Sequence, residues 1–169
     1  MPRLRSDFLT GLLLSLCLLT GMPAALAQPA PPAVGTPIPA FDTELIDGRI
    51  LSGQSLAGKP LLVMFWATWC PICRKELPQV QRLYERHKAA GLEILALSLD
   101  SGAFEVETFW QEKRYTFPVA MRAARHSEIF SPVRTPPRFF LIGRDGRLAF
   151  SHVGAIGYDR LEAALKPLL

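Results

Sequence analysis

Residues 61–67 read LLVMFWA, an unbroken apolar run followed by Thr68, Trp69 and a pair of cysteines, Cys70 and Cys73. The run is too short to span a bilayer, which takes about 20 residues, and it lacks the alternation that would leave one face to water. It suits a central strand buried on both faces, as in a sheet covered by helices on both sides. The period then turns helical: Leu77, Val80, Leu83 and Tyr84 recur between charges over residues 71–90. Gly91 is placed to close that helix. Residues 92–99, LEILALSL, form a second buried strand. Two parallel strands joined by a right-handed helical crossover follow.

The rest of the chain extends this α/β frame. Residues 41–53, FDTELIDGRILSG, predict a β-hairpin turning at Asp47-Gly48. A helix is expected over 104–115 and a short extended piece over 117–120. A second hairpin is expected over 138–153 around Asp145-Gly146, then an amphipathic helix over 158–169. The expected architecture is a central mixed sheet flanked by helices, in one domain spanning residues 40–169. A chain of 169 residues, 49% hydrophobic and 20% charged, can fill such a core. The formal net charge of +4 is too mild, and too little clustered with aromatics, for a nucleic-acid-binding function.

The N-terminus has a different character. Arg3 and Arg5 precede an apolar stretch over residues 9–19, and Ala25-Leu26-Ala27 offers a small-x-small cleavage site. Residues 1–27 thus read as a secretory signal cleaved before Gln28, with retention as an anchor the alternative. Residues 28–39, QPAPPAVGTPIP, read as an extended Pro-rich linker. Cys17 leaves with the signal, so the mature chain keeps only Cys70 and Cys73. Export places them in an oxidising compartment, where a lone pair usually forms a disulfide.

Three chemistries compete for that pair. Structural zinc needs four ligands, and His87, His126 and His152 are too scattered to complete a site; no metal and no cofactor is expected. A purely structural disulfide across so small a loop adds little stability. A redox dithiol needs one activated thiolate and one resolving thiol. With the strand ending near Ala67, Cys70 falls at the helix N-cap, Pro71 at the first helical position, where proline is favoured, and Cys73 at the third. Helix N–H groups would then lower the Cys70 pKa. Cys70 is the expected nucleophile at the open end, and Cys73 the more covered resolving thiol. Pro71-Ile72 between them carries no charge.

The block GKPLLVMFWATWCPICRKELP, residues 58–78, resembles the thioredoxin superfamily and, within it, the exported TlpA/ResA-like thiol-disulfide oxidoreductases. The likeness extends from about residue 34 to the end, through Gly35, IPAF, the DG hairpin and PRFFLIGRDGRL. It implies a thioredoxin-like fold with an added N-terminal β-hairpin and a Cys70–Cys73 redox disulfide. Trp69 matches the tryptophan flanking the nucleophile, and Pro78 the proline inside the active-site helix; Trp66 reads as core. Glu76 matches an acidic residue that handles protons or selects substrates near the cysteines; the plainer reading is a solvated carboxylate favourable to the helix dipole. Pro137 matches a cis-proline. By the same resemblance Trp69, Pro71, Ile72, Pro136 and Pro137 face the substrate.

The chain also departs from the family pattern. The residue before the cis-proline normally pairs its main chain with the substrate, but Pro136 has no N–H to give. The Pro-Pro pair reads alternatively as a stiff loop, or with its cis bond before Pro136. Met64 stands where thioredoxin has a buried aspartate, which leaves Glu76 or water to carry protons. The resemblance implies a disulfide-bearing protein substrate such as apocytochrome c, a membrane electron donor of the DsbD/CcdA type, a periplasmic location and a monomer. A reductase is the favoured direction; an oxidant or isomerase is the alternative. A peroxiredoxin-like peroxidase would want Thr or Ser at Ala67, and a copper-handling relative would want three residues between its cysteines. A non-enzymatic binding module would tolerate loss of Cys70.

Overall fold

The computed structural model describes residues 30–169. The signal-peptide reading of residues 1–27 and the first two residues of the linker lie outside the described residues. Two layers of side chains sandwich a five-stranded sheet of order β5-β4-β3-β6-β7. Its strands are β3 (Leu61–Trp66), β4 (Glu93–Ser98), β5 (Val119–Met121), β6 (Arg138–Ile142) and β7 (Leu148–Val153). A separate two-stranded hairpin, β1 (Thr43–Glu44) with β2 (Ile50–Leu51), precedes them. The helices are α1 (Pro71–His87), α2 (Ala103–Lys113), α3 (Ala124–Phe130) and α4 (Tyr158–Leu165).

The central run occupies β3, buried along its whole length. It pairs parallel with β4 and antiparallel with β6. β4 in turn pairs parallel with β5. Two right-handed crossovers stepping the same way put α1 and α2 on one face. There Leu62, Met64 and Trp66 pack with Leu77, Val80, Trp110 and Leu161. The chain then steps back past β3 to β6, and α3 lies on the opposite face. On that face Val63 and Phe65 pack with Phe130, Phe140 and the hairpin residues Phe41 and Leu45.

Differences from the sequence expectation are local. The first helix ends at His87 and tightens into a 3₁₀ turn, Lys88–Ala90, closed by Gly91 at φ 96°. The closing helix ends at Leu165, with a 3₁₀ turn, Lys166–Leu168, around Pro167. α3 was not expected from sequence. The expected extended linker turns at Val34-Gly35, where the Thr36 N–H donates to Ala33 O at 3.0 Å, and is tied to the sheet: Gly35 N–H donates to Leu148 O at 2.7 Å and Ile38 N–H to Gly146 O at 2.9 Å. The hairpin docks beside β5 through Ile46 N–H to Val119 O, 2.9 Å. Among the described residues no helix is long and apolar enough to cross a membrane.

This topology gathers one end of the molecule. The C-terminal ends of the parallel strands β3, β4 and β5 meet the N-terminus of β6 and the C-terminus of β7 there. Ala67, Leu99, Arg122, Pro137 and Gly154, the residues next beyond those strand ends, all stand at that edge.

Candidate active site

The β3–α1 turn is built around Cys70. Its backbone is extended, at φ −89° and ψ 108°, and it is the N-cap of α1 with Pro71 at the first helical position. The Cys73 N–H donates to Cys70 Sγ at 3.2 Å, one of the N–H groups that a helix start leaves without an intrahelical partner. The two cysteines form a disulfide with Cα atoms 5.3 Å apart. The expected contrast between an open Cys70 and a covered Cys73 is one of degree: Cys70 is 4% exposed and Cys73 fully buried. What stands open instead is Trp69, 62% exposed, and Ile72, 45% exposed. Pro71 between them is exposed as well. Trp66 lies in the core, as expected.

Across the site, the cis bond joins Pro136 to Pro137, so the alternative of a cis bond before Pro136 does not hold. Pro136 O lies 3.7 Å from Cys70 Sγ. Gly154 N–H donates to Pro137 O at 2.8 Å and anchors the loop to the end of β7. The Pro136 carbonyl therefore faces the sulfur, while its nitrogen offers nothing to a neighbouring chain.

Glu76 is buried, not solvated. It lies one helical turn beyond Cys73, on the same side of α1, and its Oε2 accepts the Gly157 N–H at 3.0 Å. Met64 is fully buried in the layer that holds both cysteines, so no carboxylate sits beneath them from β3.

Two groups at this edge were not legible from sequence. Asp100, just past β4, accepts from the Thr68 N–H (3.0 Å), the Thr68 hydroxyl (2.6 Å) and the Ser98 hydroxyl (2.6 Å), and so fixes the turn that leads into Cys70. Arg138, next after Pro137, stacks its guanidinium over Phe140 at 5.1 Å. Burial lowers its pKa from the ordinary arginine value, yet its Nε is buried without a hydrogen-bond partner. The histidines lie elsewhere: His87 meets Glu162, His126 meets Thr43, and His152 meets the Ala155 carbonyl.

A helix-capping cysteine bonded to its partner three residues on, facing a cis-proline loop, is built for reversible exchange between dithiol and disulfide. The Redoxin family model matches residues 33–165. The chain belongs to the Redoxin family. It is 32% identical to the thiol-disulfide oxidoreductase ResA of Bacillus thuringiensis over 135 residues, covering 80% of this chain and 78% of that one. Among solved structures it is similar to a thiol:disulfide interchange protein of the thioredoxin family from Chlorobium tepidum, with TM-score 0.73, 25% identity, and coverage of 81% and 98%. It is also similar to StoA of Bacillus subtilis, with TM-score 0.64, 27% identity, and coverage of 80% and 98%. The fold is thioredoxin-like with an N-terminal hairpin, and the protein is a thiol-disulfide oxidoreductase of the ResA type. Family membership implies disulfide-containing protein substrates.

Proposed function

We propose that the protein is exported and reduces disulfides in client proteins, with Cys70 as nucleophile and Cys73 as resolving thiol. The observation that carries this is the Cys73 N–H held on Cys70 Sγ at the start of α1. In the reduced state that N–H and the helix dipole favour the Cys70 thiolate. The thiolate attacks one sulfur of a client disulfide. That bond breaks, the second client sulfur leaves as a thiolate, and Cys70 is joined to the client. The Cys73 thiolate then attacks Cys70 Sγ, the mixed bond breaks, and the first client sulfur is released. The client has gained two electrons and the protein is left as the Cys70–Cys73 disulfide. A membrane dithiol donor of the DsbD/CcdA type, as the family resemblance implies, reduces it again.

The other site residues take roles around this step. Glu76, buried one helical turn beyond Cys73, carries the proton that Cys73 gives up. Trp69, Pro71 and Ile72 supply an apolar rim for the client, and the Pro136-Pro137 loop closes the other side. Residues 1–27 direct export and leave before Gln28, placing the protein in the periplasm, with apocytochrome c as the client class. The deciding measurement is the reduction potential of the pair, taken with the Cys70 pKa. The Pro71-Ile72 dipeptide adds no charge to stabilise the thiolate, so a reducing potential is expected. A value near about −120 mV, that of a strong disulfide donor, overturns the reductase reading.

A further inference from the structure

The segment between β5 and β6 is one of the net-positive stretches of the domain. Arg3, Arg5 and Asp7 account for +1 of the formal +4, and residues 30–169 carry the remaining +3. Residues 122–138, between β5 and β6, contain Arg122, Arg125, Arg134 and Arg138 against Glu128 alone, which is the whole of that +3. The rest of the domain sums to zero, although residues 71–90 carry a net +3 of their own. This segment ends at the loop whose Pro136 carbonyl faces Cys70 Sγ at 3.7 Å.

The four arginines are not equivalent. Arg122 donates to the Ser127 hydroxyl and Arg125 to the Asp42 carbonyl, so both serve the fold. Arg134 and Arg138 pair with no carboxylate among the described residues. Arg134 is exposed. Arg138 is half-buried, desolvated and left with an unpartnered Nε, an arrangement that costs free energy unless a partner arrives. Both line a groove of about 230 Å³ floored by Phe130, Pro132, Val133 and Val153. Arg134 stands two residues before Pro136 and Arg138 two after, so the groove adjoins the loop whose carbonyl faces Cys70 Sγ. Pro136 gives an incoming chain no main-chain N–H here, so side-chain charge is the recognition left on this side.

We propose that Arg134 and Arg138 select clients whose disulfide is flanked by acidic residues, the acidic segment lying in this groove while the disulfide meets Cys70. The inference rests on the thiol-disulfide exchange proposed above and names its substrate class. An apolar floor with two cationic walls fits a short peptide carrying carboxylates, which Arg can bind in bidentate fashion.

The test uses the reduced protein and three synthetic peptides, each with one internal disulfide and differing only in two flanking residues: Asp-Asp, Ser-Ser or Lys-Lys. At low ionic strength kcat/KM should rank Asp above Ser above Lys, with about tenfold or more between the extremes. The spread should collapse near 1 M salt, where the Debye length is about 3 Å. Arg134→Glu, at an exposed position, leaves one charge of each sign and should flatten the ranking. Arg138→Met, which keeps an apolar side chain over Phe140, leaves Arg134 alone and should narrow the spread without abolishing it. Equal rates for the three peptides, a spread indifferent to salt, or a ranking untouched by both substitutions overturns the inference while exchange itself stands. If none of the peptides is reduced, the exchange reading falls and this inference falls with it.

Discussion

Glu76 on α1 accepts the backbone N–H of Gly157, the residue that caps α4, at 3.0 Å. The bond links the helix that starts at Cys70 to the helix that closes the chain, and it keeps one carboxylate buried on the cysteine side of α1. Gly157 sits at φ 72°, where a side chain would be strained. Replacing Glu76 by Gln keeps an oxygen for that N–H and removes the charge. Stability should then change little, while reduction of a client disulfide slows by about tenfold or more if Glu76 moves protons. Glu76→Leu should in addition lower stability by about 1–3 kcal/mol, because the Gly157 N–H loses its partner. Urea unfolding of the oxidised forms, set beside turnover of the reduced ones, separates the two effects. Unchanged turnover in Glu76→Gln would leave Glu76 as a clamp only.

The two cysteines should fail differently. Cys73→Ser retains the sulfur at the helix N-cap and loses the resolving thiol, so incubation with a disulfide-bearing protein should accumulate a covalent complex through Cys70. Cys70→Ser should accumulate none and should lack turnover. Intact-mass analysis under non-reducing conditions reads both. A stable complex formed by Cys70→Ser would reverse the assigned roles.

What the sequence disclosed and what it withheld divide along physical lines. The β3 run, the 3.6-residue period of α1, the Asp-Gly turns and the cap formed by Cys70 and Pro71 are local signals carried by neighbouring residues, and each is found where it was expected. α3 is only seven residues long and begins after Ala123, which has no capping side chain; His126 Nδ1 accepts the Ala123 N–H instead. A stretch that short shows no period. The contacts around the cysteines are long-range: Asp100 meets Thr68 across 32 positions and Glu76 meets Gly157 across 81. No spacing rule announces such pairs, and the burial of Glu76 became evident only once α4 was in place. Arg138 was hidden for the same reason, since an arginine next to a proline looks solvated until Phe140 and the groove surround it.

Asp100 holds the turn before Cys70 with three accepted hydrogen bonds, two of them from Thr68. Asp100→Ala strands the Thr68 N–H in a partly buried position and should cost about 1–3 kcal/mol. The same change frees the Trp69-Cys70 segment, so alkylation of Cys70 by iodoacetamide should depart from that of the unaltered protein. Asp100→Asn keeps one acceptor oxygen and should fall between the two in both measurements. A loss of stability with no change in alkylation rate would confine Asp100 to the fold.

His126 gives the fold a pH dependence of definite sign. Its ring is buried between Phe41 and the start of α3, its Nδ1 accepts the Ala123 N–H, and its Nε2 lies 3.0 Å from the Thr43 hydroxyl. Because Nδ1 accepts, the neutral ring carries its proton on Nε2 and donates it to Thr43. Burial first, then the charges of Arg125 and Arg122, push its pKa from 6.5 down to about 4. The unfolded chain therefore binds a proton that the folded chain refuses between those values. The stability this histidine contributes is complete above pH 6.5 and is lost as pH falls towards about 4. The loss should amount to roughly 2 kcal/mol once residual hydration of the ring is allowed for. Protonation puts a hydrogen on Nδ1 and so displaces the Ala123 N–H at the start of α3, while the Nε2–H bond to Thr43 is kept. Urea midpoints of the oxidised protein measured across that range should fall with pH, and His126→Gln should be less stable at neutral pH but much flatter in its response. An equally steep response in His126→Gln would assign the pH dependence to other groups.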